Sequence, residues 1–254
     1  ALKETSAKIV YISLINSKHF TWAIKCLDAN KHIIVDKPLA LNFTQTQKIL
    51  NLASKKKLLV SEAIVFDKHA QFKNMYKKID LNHPTKIYSS FHIPKLDKKN
   101  FRNYKGYGGG CFQDMSPYAL SMVNLFFKNK KYSLSIKKIK NKKGLIVCFQ
   151  LIVKSKYIYL EASFSFNSFY KNEILIHNKK KKYFINYAFS PPIDKSLKLD
   201  VSNEVKKKSY KVKFEKQNAF YTYFIDIFKI LRKKKYNFFY KEIKNIAKIK
   251  EKIS

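Results

Sequence analysis

The chain has 254 residues, 46% hydrophobic and 15% aromatic, with 53 Lys+Arg against 17 Asp+Glu and a formal charge of +36. That much apolar material builds a core, which excludes a disordered chain, and the length suits one large domain or two ordinary ones. No apolar run reaches the roughly 18 residues of a membrane helix; the nearest, Leu145–Val153 and Phe220–Leu231, carry Gln150 and Asp226.

Lys3, Glu4 and Lys8 open the chain and form no secretory signal. The cysteines, Cys26, Cys111 and Cys148, lie far apart, with neither a disulfide framework nor metal-ligand spacing. A soluble, reduced, cytoplasmic protein with no metal and no membrane partner is expected. The charge points to nucleic acid only superficially. All basic residues except Arg102 and Arg232 are lysine, whereas reading bases or clamping phosphates favours the bidentate arginine fork. Lysine blocks at 55–57, 179–182 and 233–235 attract polyanions without specificity. No specific nucleic-acid partner is expected.

In chain order, Ile9–Leu14 is a short continuous apolar run, as in a parallel strand buried on both faces. Phe20–Ala29 has helical spacing. His32–Val35 is a second strand, ended by Asp36-Lys37-Pro38. Thr44–Ala53 is a second helix, and Leu58–Val60 starts a third strand running into Ser61-Glu62-Ala63. Strand and helix alternating with short links predict half of a doubly wound parallel sheet.

Beyond residue 66 the pattern changes. Phe66–Ile79 reads as a helix, Lys86–Ile93 as a strand and Met115–Phe127 as a helix, after a turn-rich stretch ending in Gly108-Gly109-Gly110. Period-two runs follow at Tyr132–Ile139, Leu145–Val153, Tyr157–Phe166, Glu173–His177 and Tyr183–Tyr187. Tyr210–Phe214 adds an edge strand, and Phe220–Leu231 and Tyr240–Ile253 close the chain as helices. The fold class is therefore α/β plus α+β: half of a Rossmann sheet over residues 1–65, then a domain over 66–254 with a large, mostly antiparallel sheet.

Three stretches carry chemistry. Lys37 sits where the second parallel strand ends, the edge at which open α/β sheets bind ligands. There it can hydrogen-bond or protonate a substrate oxygen, or it is one more surface lysine. In GGGCFQDMSPYA, residues 108–119, the glycines let backbone approach a flat ligand. Asp114 and Tyr118 share one helix face at i and i+4. A carboxylate one turn from a phenol can orient it, and a neighbouring lysine ammonium would lower the phenol's pKa; a capping Asp beside a packing Tyr is the alternative. Asn16-Ser17-Lys18-His19 reads as a helix start, with His19 of interest only if other residues converge on it.

Taken together and in this order, these stretches resemble the Gfo/Idh/MocA oxidoreductases, the glucose–fructose oxidoreductase and inositol dehydrogenase family. VYISLINSKHFTWAIKCLDANKHIIVDKPLAL (residues 10–41) is similar to the family's strand, Asn-x-x-His turn, helix, strand and Glu-Lys-Pro signature. SEAIVFDKHAQF (61–72), the NFR…GGG…D…Y stretch and YKNEILIH…FSPP follow. The resemblance spans about residues 8–254. It implies an NAD(P)-dependent dehydrogenase or ketoreductase, with NAD or NADP as cofactor and hydride passing between nicotinamide and a sugar or nucleotide-linked keto sugar. It implies Lys37, Asp114 and Tyr118 as catalytic, Asn16, His19, Asp36 and Lys37 near the cofactor, and a homo-oligomer formed through the sheet. Arg102 is the candidate handle for an anionic substrate group, since its fork grips phosphate; a structural ion pair is the alternative.

Three departures stand out. Asp36 replaces the usual Glu, and Ile15 stands where many members have proline. No G-x-G-x-x-G occurs, the first glycine being Gly106. The expectation is that the chain begins at the fourth strand of the dinucleotide fold, as a fragment or truncated product. A second function class stays open on that ground: a non-catalytic remnant of such an enzyme, acting as a binding or assembly module.

Overall fold

The computed structural model describes Leu2 and residues 4–254; Ala1 and Lys3, the latter part of the charged opening, lie outside the described residues. Three strands, β1 (Ile9–Ile12), β2 (His32–Asp36) and β3 (Val60–Ala63), form a parallel sheet in the order β1-β2-β3. Helices α1 (His19–Asp28) and α2 (Phe43–Lys56) make the crossovers. The run Ile33-Ile34-Val35 is apolar throughout because both faces of β2 are covered. Ile33 and Val35 pack with Ala23, Leu27, Ile49 and Ala53, while Ile34 packs on the opposite side. The third strand lies further on than its apolar run suggests, so Ser61 and Glu62 belong to it.

Helix α3 is Ala70–Lys77. The expected helix from Phe66 is broken at His69, whose backbone is extended (φ −68°, ψ 139°) and whose ring caps the next turn by accepting from Gln71 N at 3.2 Å. Strand β4 (Thr85–His92) and helix α4 (Cys111–Phe126) follow, then β5 (Ser133–Lys140), β6 (Ile146–Lys154), β7 (Ile158–Ser165), β8 (Lys171–Asn178), β9 (Lys181–Asn186), β10 (Leu197–Asn203) and β11 (Lys208–Phe214). They form one eight-stranded sheet ordered β11-β10-β9-β8-β4-β7-β6-β5. Only β4–β7 pair parallel; the others are antiparallel. Strand β10 is absent from the sequence reading although Leu197, Leu199 and Val201 alternate inward. The large sheet packs one face on α3 and α4 through Phe112, Met115, Phe126, Phe149, Leu160 and Phe164.

The chain then returns. Helix α5 (Ala219–Lys233) buries Ala219, Tyr223 and Ile227 against Ile34 and Leu59 of the small sheet. Helix α6 (Asn237–Lys252) places Ile243 in the core on the sheet's other face and touches α2, α4 and β3. The two sheets are thereby joined by the last helices as well as by the chain between them. Among the described residues no helix is long and apolar enough to cross a membrane.

The glycine turn before α4 is tightly packed on its own loop. Gly109 N and Gly110 N donate to Tyr104 O (3.0 Å) and Arg102 O (2.8 Å), and a Cβ on Gly109 would stand 2.5 Å from Arg102 O. That oxygen is backbone held by the same turn and cannot yield. Gly109→Ala should therefore cost at least about 2 kcal/mol of stability in urea unfolding, as severe backbone conflicts do. A loss below about 0.5 kcal/mol would show that the turn relaxes freely.

Candidate active site

The carboxyl ends of β1, β2 and β3 open onto a cavity of about 680 Å³. Ser13–Asn16, Asp36, Lys37, Ala63 and Val65 line it from the small sheet; Arg102, Tyr118 and the Phe189–Pro191 stretch line it from the larger half. The turn after β2 carries Lys37 into this space. The Lys37–Pro38 peptide is cis, and the residues around it are held by contacts distant in sequence. Glu62 accepts from Leu39 N at 3.0 Å, and Gln113 Nε2 donates to Leu41 O at 3.3 Å.

Lys37 meets Asp114 directly. Its Nζ donates to both Oδ1 and the backbone oxygen of Asp114, each at 2.8 Å. An ammonium has three N–H donors, so one is left over. The same Nζ lies 5.1 Å from the centroid of the Tyr118 ring. Tyr118 is caged by Phe66, Phe91 and Phe189, with ring centroids 5.6–6.1 Å away. Its hydroxyl takes no hydrogen bond among the described residues. One turn of α4 separates Asp114 from Tyr118, so the helix presents both to Lys37. Asp114 does not cap α4: that position belongs to Gly110, in a backbone region (φ +100°) open to glycine.

Charge in this cluster follows from burial and pairing. Asp114 is 4% exposed. Burial alone would raise its carboxyl, but the Lys37 ammonium and the Arg102 guanidinium overcome it and hold the group below the usual carboxylate range. For Lys37, desolvation favours the neutral amine, yet Asp114 outweighs it and the ammonium is held above its ordinary value. Tyr118 departs from the sequence expectation. Burial raises its phenol more than Lys37 lowers it, so the net shift is upward. The hydroxyl stays protonated, which suits a proton donor.

The remaining sequence candidates divide. Arg102 lines the cavity, but its Nε pairs with Asp114 Oδ1 at 3.1 Å, so the ion pair raised as its alternative is present. Its terminal nitrogens take no partner among the described residues. Asn16 lines the cavity while its side-chain nitrogen donates to Gly108 O at 2.9 Å, clamping the glycine turn. Asp36 is engaged on both oxygens, by the Tyr11 hydroxyl and by Ser13 Oγ at 2.7 Å. His19 does not line the cavity and contacts the Lys37 turn instead. It is fully buried, with Nδ1 2.7 Å from Pro38 O and Nε2 2.9 Å from Leu14 O. Its ring lies between Pro38 O and Leu14 O and braces the Lys37 turn.

Sequence reasoning missed Glu62 and the wall contributed by Asn218 and Phe220. Asn218 caps α5, accepting from Phe220 N at 2.9 Å. That signal was legible as a helix start, though nothing local tied it to the cavity.

Comparison with known proteins agrees with this architecture. Residues 1–64 match the GFO_IDH_MocA family, described as an oxidoreductase family with an NAD-binding Rossmann fold. A dTDP-3,4-didehydro-2,6-dideoxy-α-D-glucose 3-reductase of Actinomadura kijaniata is 21% identical over 196 residues, 75% of this chain and 59% of that protein. An oxidoreductase of Rhizobium meliloti is 26% identical over 129 residues, 50% of this chain and 39% of its own length. The matched part thus spans roughly two to three fifths of these relatives. A crystal structure of a 3-ketoreductase from A. kijaniata with NADP and TDP-benzene superposes with a TM-score of 0.89 at 17% identity, covering 99% of this chain and 79% of that one. An aldose–aldose oxidoreductase from Caulobacter crescentus gives 0.81 at 14% identity, covering 98% and 76%.

The Asp114 carboxylate sets a pH dependence whose sign is fixed. Its folded pKa is depressed, so its contribution to stability is fully present above the unfolded value near 4 and is lost as pH falls through the folded one. Asp114→Asn leaves a buried ammonium without its counter-charge, which costs about 3 kcal/mol or more. The deficit relative to the parent should be constant between about pH 5 and 7 and shrink below about pH 4. Denaturant unfolding across that range checks it, and a deficit that already shrinks between pH 5 and 7 would contradict the assignment.

Proposed function

We propose that this chain, whose residues 1–64 match the Gfo/Idh/MocA oxidoreductase family, serves an NAD(P)-dependent enzyme that moves hydride between nicotinamide and a ring carbon of a sugar or nucleotide-linked keto sugar. The observation that carries the reading is the Lys37–Asp114–Tyr118 cluster beside the strand-end cavity. The substrate class is supported by the relatives, one a reductase of a dTDP-linked keto sugar. Within this reading residues 1–65 hold the nicotinamide end of the cofactor and 66–254 hold the substrate and the oligomer interface.

The residues present suit that end of the cofactor. Leu14, Ile15, Ala63 and Val65 supply an apolar wall for a planar ring, and Lys37 and Tyr118 supply uncommitted donors in the same cavity. When bound, the nicotinamide supplies or accepts the hydride. Every other task falls to the chain. Tyr118, kept protonated by burial, donates its proton to the substrate oxygen as negative charge develops there. The third N–H of Lys37 hydrogen-bonds the same oxygen and stabilises that charge. Asp114 holds Lys37 in place, and Arg102 steadies Asp114 while its terminal nitrogens meet an anionic substrate group such as a diphosphate. The oxidative direction is the reverse of this step and starts from Tyr118 as the phenolate, which takes the sugar hydroxyl's proton.

The outer face of the large sheet carries Tyr88 (37% exposed), tilted against the Tyr159 ring and edge-on to His177, and is the proposed surface for assembly with further copies. Sedimentation should find an oligomer that Tyr88→Glu weakens; an unchanged monomer in both would remove this part of the reading.

For the chemistry, the whole protein is assayed for NADH or NADPH consumption with nucleotide-linked keto sugars. Lys37→Ala and Tyr118→Phe should each lower kcat about 10²-fold, the usual size of a general acid–base contribution, with cofactor affinity little changed. Near-parental kcat in both variants would leave the cluster as packing and favour a binding module.

A further inference from the structure

A second cavity, of about 250 Å³, lies on the far side of the Lys37 turn, with Pro38, Leu39, Glu62, Pro117, Ile243 and Lys250 among its lining. Lys250, on α6, stands apart from the other lysines. It is 7% exposed, the one lysine or arginine in the buried class among the described residues. Burial lowers its pKa to about 8, an effect that Glu62 opposes. A lysine that gains nothing from solvent is kept there by what it touches, and its Nζ donates to Gln113 Oε1.

Resting on the reductase reading, we propose that Lys250 is a positioning residue for Lys37: acting through Gln113, it locks the turn that carries Lys37 to the helix that carries Asp114 and Tyr118. An ammonium donates and cannot accept, so the side-chain oxygen of Gln113 must face Lys250. That orientation turns the Gln113 amide nitrogen toward Leu41 O, at 3.3 Å. Gln113 immediately precedes Asp114, whose carboxylate and backbone oxygen both receive Lys37. From the other side Glu62 of β3 accepts from Leu39 N at 3.0 Å. The turn is therefore fixed two and four residues beyond Lys37 by groups that converge beneath it. Removing Lys250 takes away the anchor that fixes the Gln113 side chain, so its hold on Leu41 O loosens and the turn shifts on α4. A displacement of about 1 Å at a catalytic group is enough to cost orders of magnitude in rate.

Two variants separate positioning from bulk stability. Lys250→Met keeps the length of the side chain in a cavity already lined by apolar residues. Gln113→Glu retains an acceptor, now charged, for Lys250, but offers no N–H to Leu41 O. Both should lower kcat at least about 10-fold while KM for the nucleotide sugar stays within about threefold. Crystal structures supply a readout independent of turnover: in both variants Lys37 Nζ should move beyond about 3.5 Å from Asp114 Oδ1, past hydrogen-bond range. A separation still at the parental 2.8 Å in both overturns the proposal whatever the kinetics. If the parent itself reduces no keto sugar, the reductase reading fails, and the crystallographic comparison still decides the role of Lys250.

Discussion

A carboxylate shut away from solvent between an ammonium and a guanidinium cannot lose either partner cheaply. The Asp114 contacts to Lys37 at 2.8 Å and to Arg102 at 3.1 Å therefore tie three separate segments into one object: the turn after β2, the loop before the glycines, and α4. Burial would otherwise neutralise each group. Pairing reverses the shift for Asp114 and Lys37, whereas for the phenol burial prevails, so the cluster holds a carboxylate, an ammonium and a neutral phenol together. A donor that remains protonated beside a fixed positive charge is what reduction of a carbonyl requires.

The surrounding structure protects that arrangement from several directions. His19 braces Pro38 O, Asn16 holds Gly108 O, and Glu62 holds Leu39 N. Gly108 admits close approach, since a Cβ there would meet Leu41 and Asn16 within 2.8 Å. Each brace joins the small sheet or its loops to something distant in sequence, and α5 and α6 then cover the small sheet's two faces. The large positive charge is a property of the exterior. The site uses one of its many lysines together with one of its two arginines, and both are balanced by a single carboxylate.

Much of this was legible in the residues. The unbroken run Ile33-Ile34-Val35 marks a strand covered on both faces, and the spacing of Asp114 and Tyr118 on one helix makes them neighbours. Other features were hidden for physical reasons. Leu197, Leu199 and Val201 alternate as a strand should, but the two prolines just before them masked the start of β10. The helix expected from Phe66 fails at His69, where a side-chain cap outweighs continued helical spacing. His19 carried a plausible ligand chemistry, yet its role depends on two carbonyls brought within reach by the fold. The upward shift of Tyr118 depends on how deeply three phenylalanines enclose it, which no spacing rule reports. Lys250 was indistinguishable from its surface neighbours, because α6 is lysine-rich and only packing shows which face turns inward.

The central claim is that hydride moves between nicotinamide and a sugar carbon while Tyr118 handles the proton. The most direct measurement incubates the whole protein with a nucleotide-linked keto sugar and NADH or NADPH deuterated at the transferable position, then locates the label by NMR. One deuterium on the carbinol carbon of the product, with the hydroxyl proton drawn from solvent, is the predicted result. A reduced sugar without carbon-bound deuterium, or no reduced sugar with any nucleotide-linked keto sugar supplied, would contradict it.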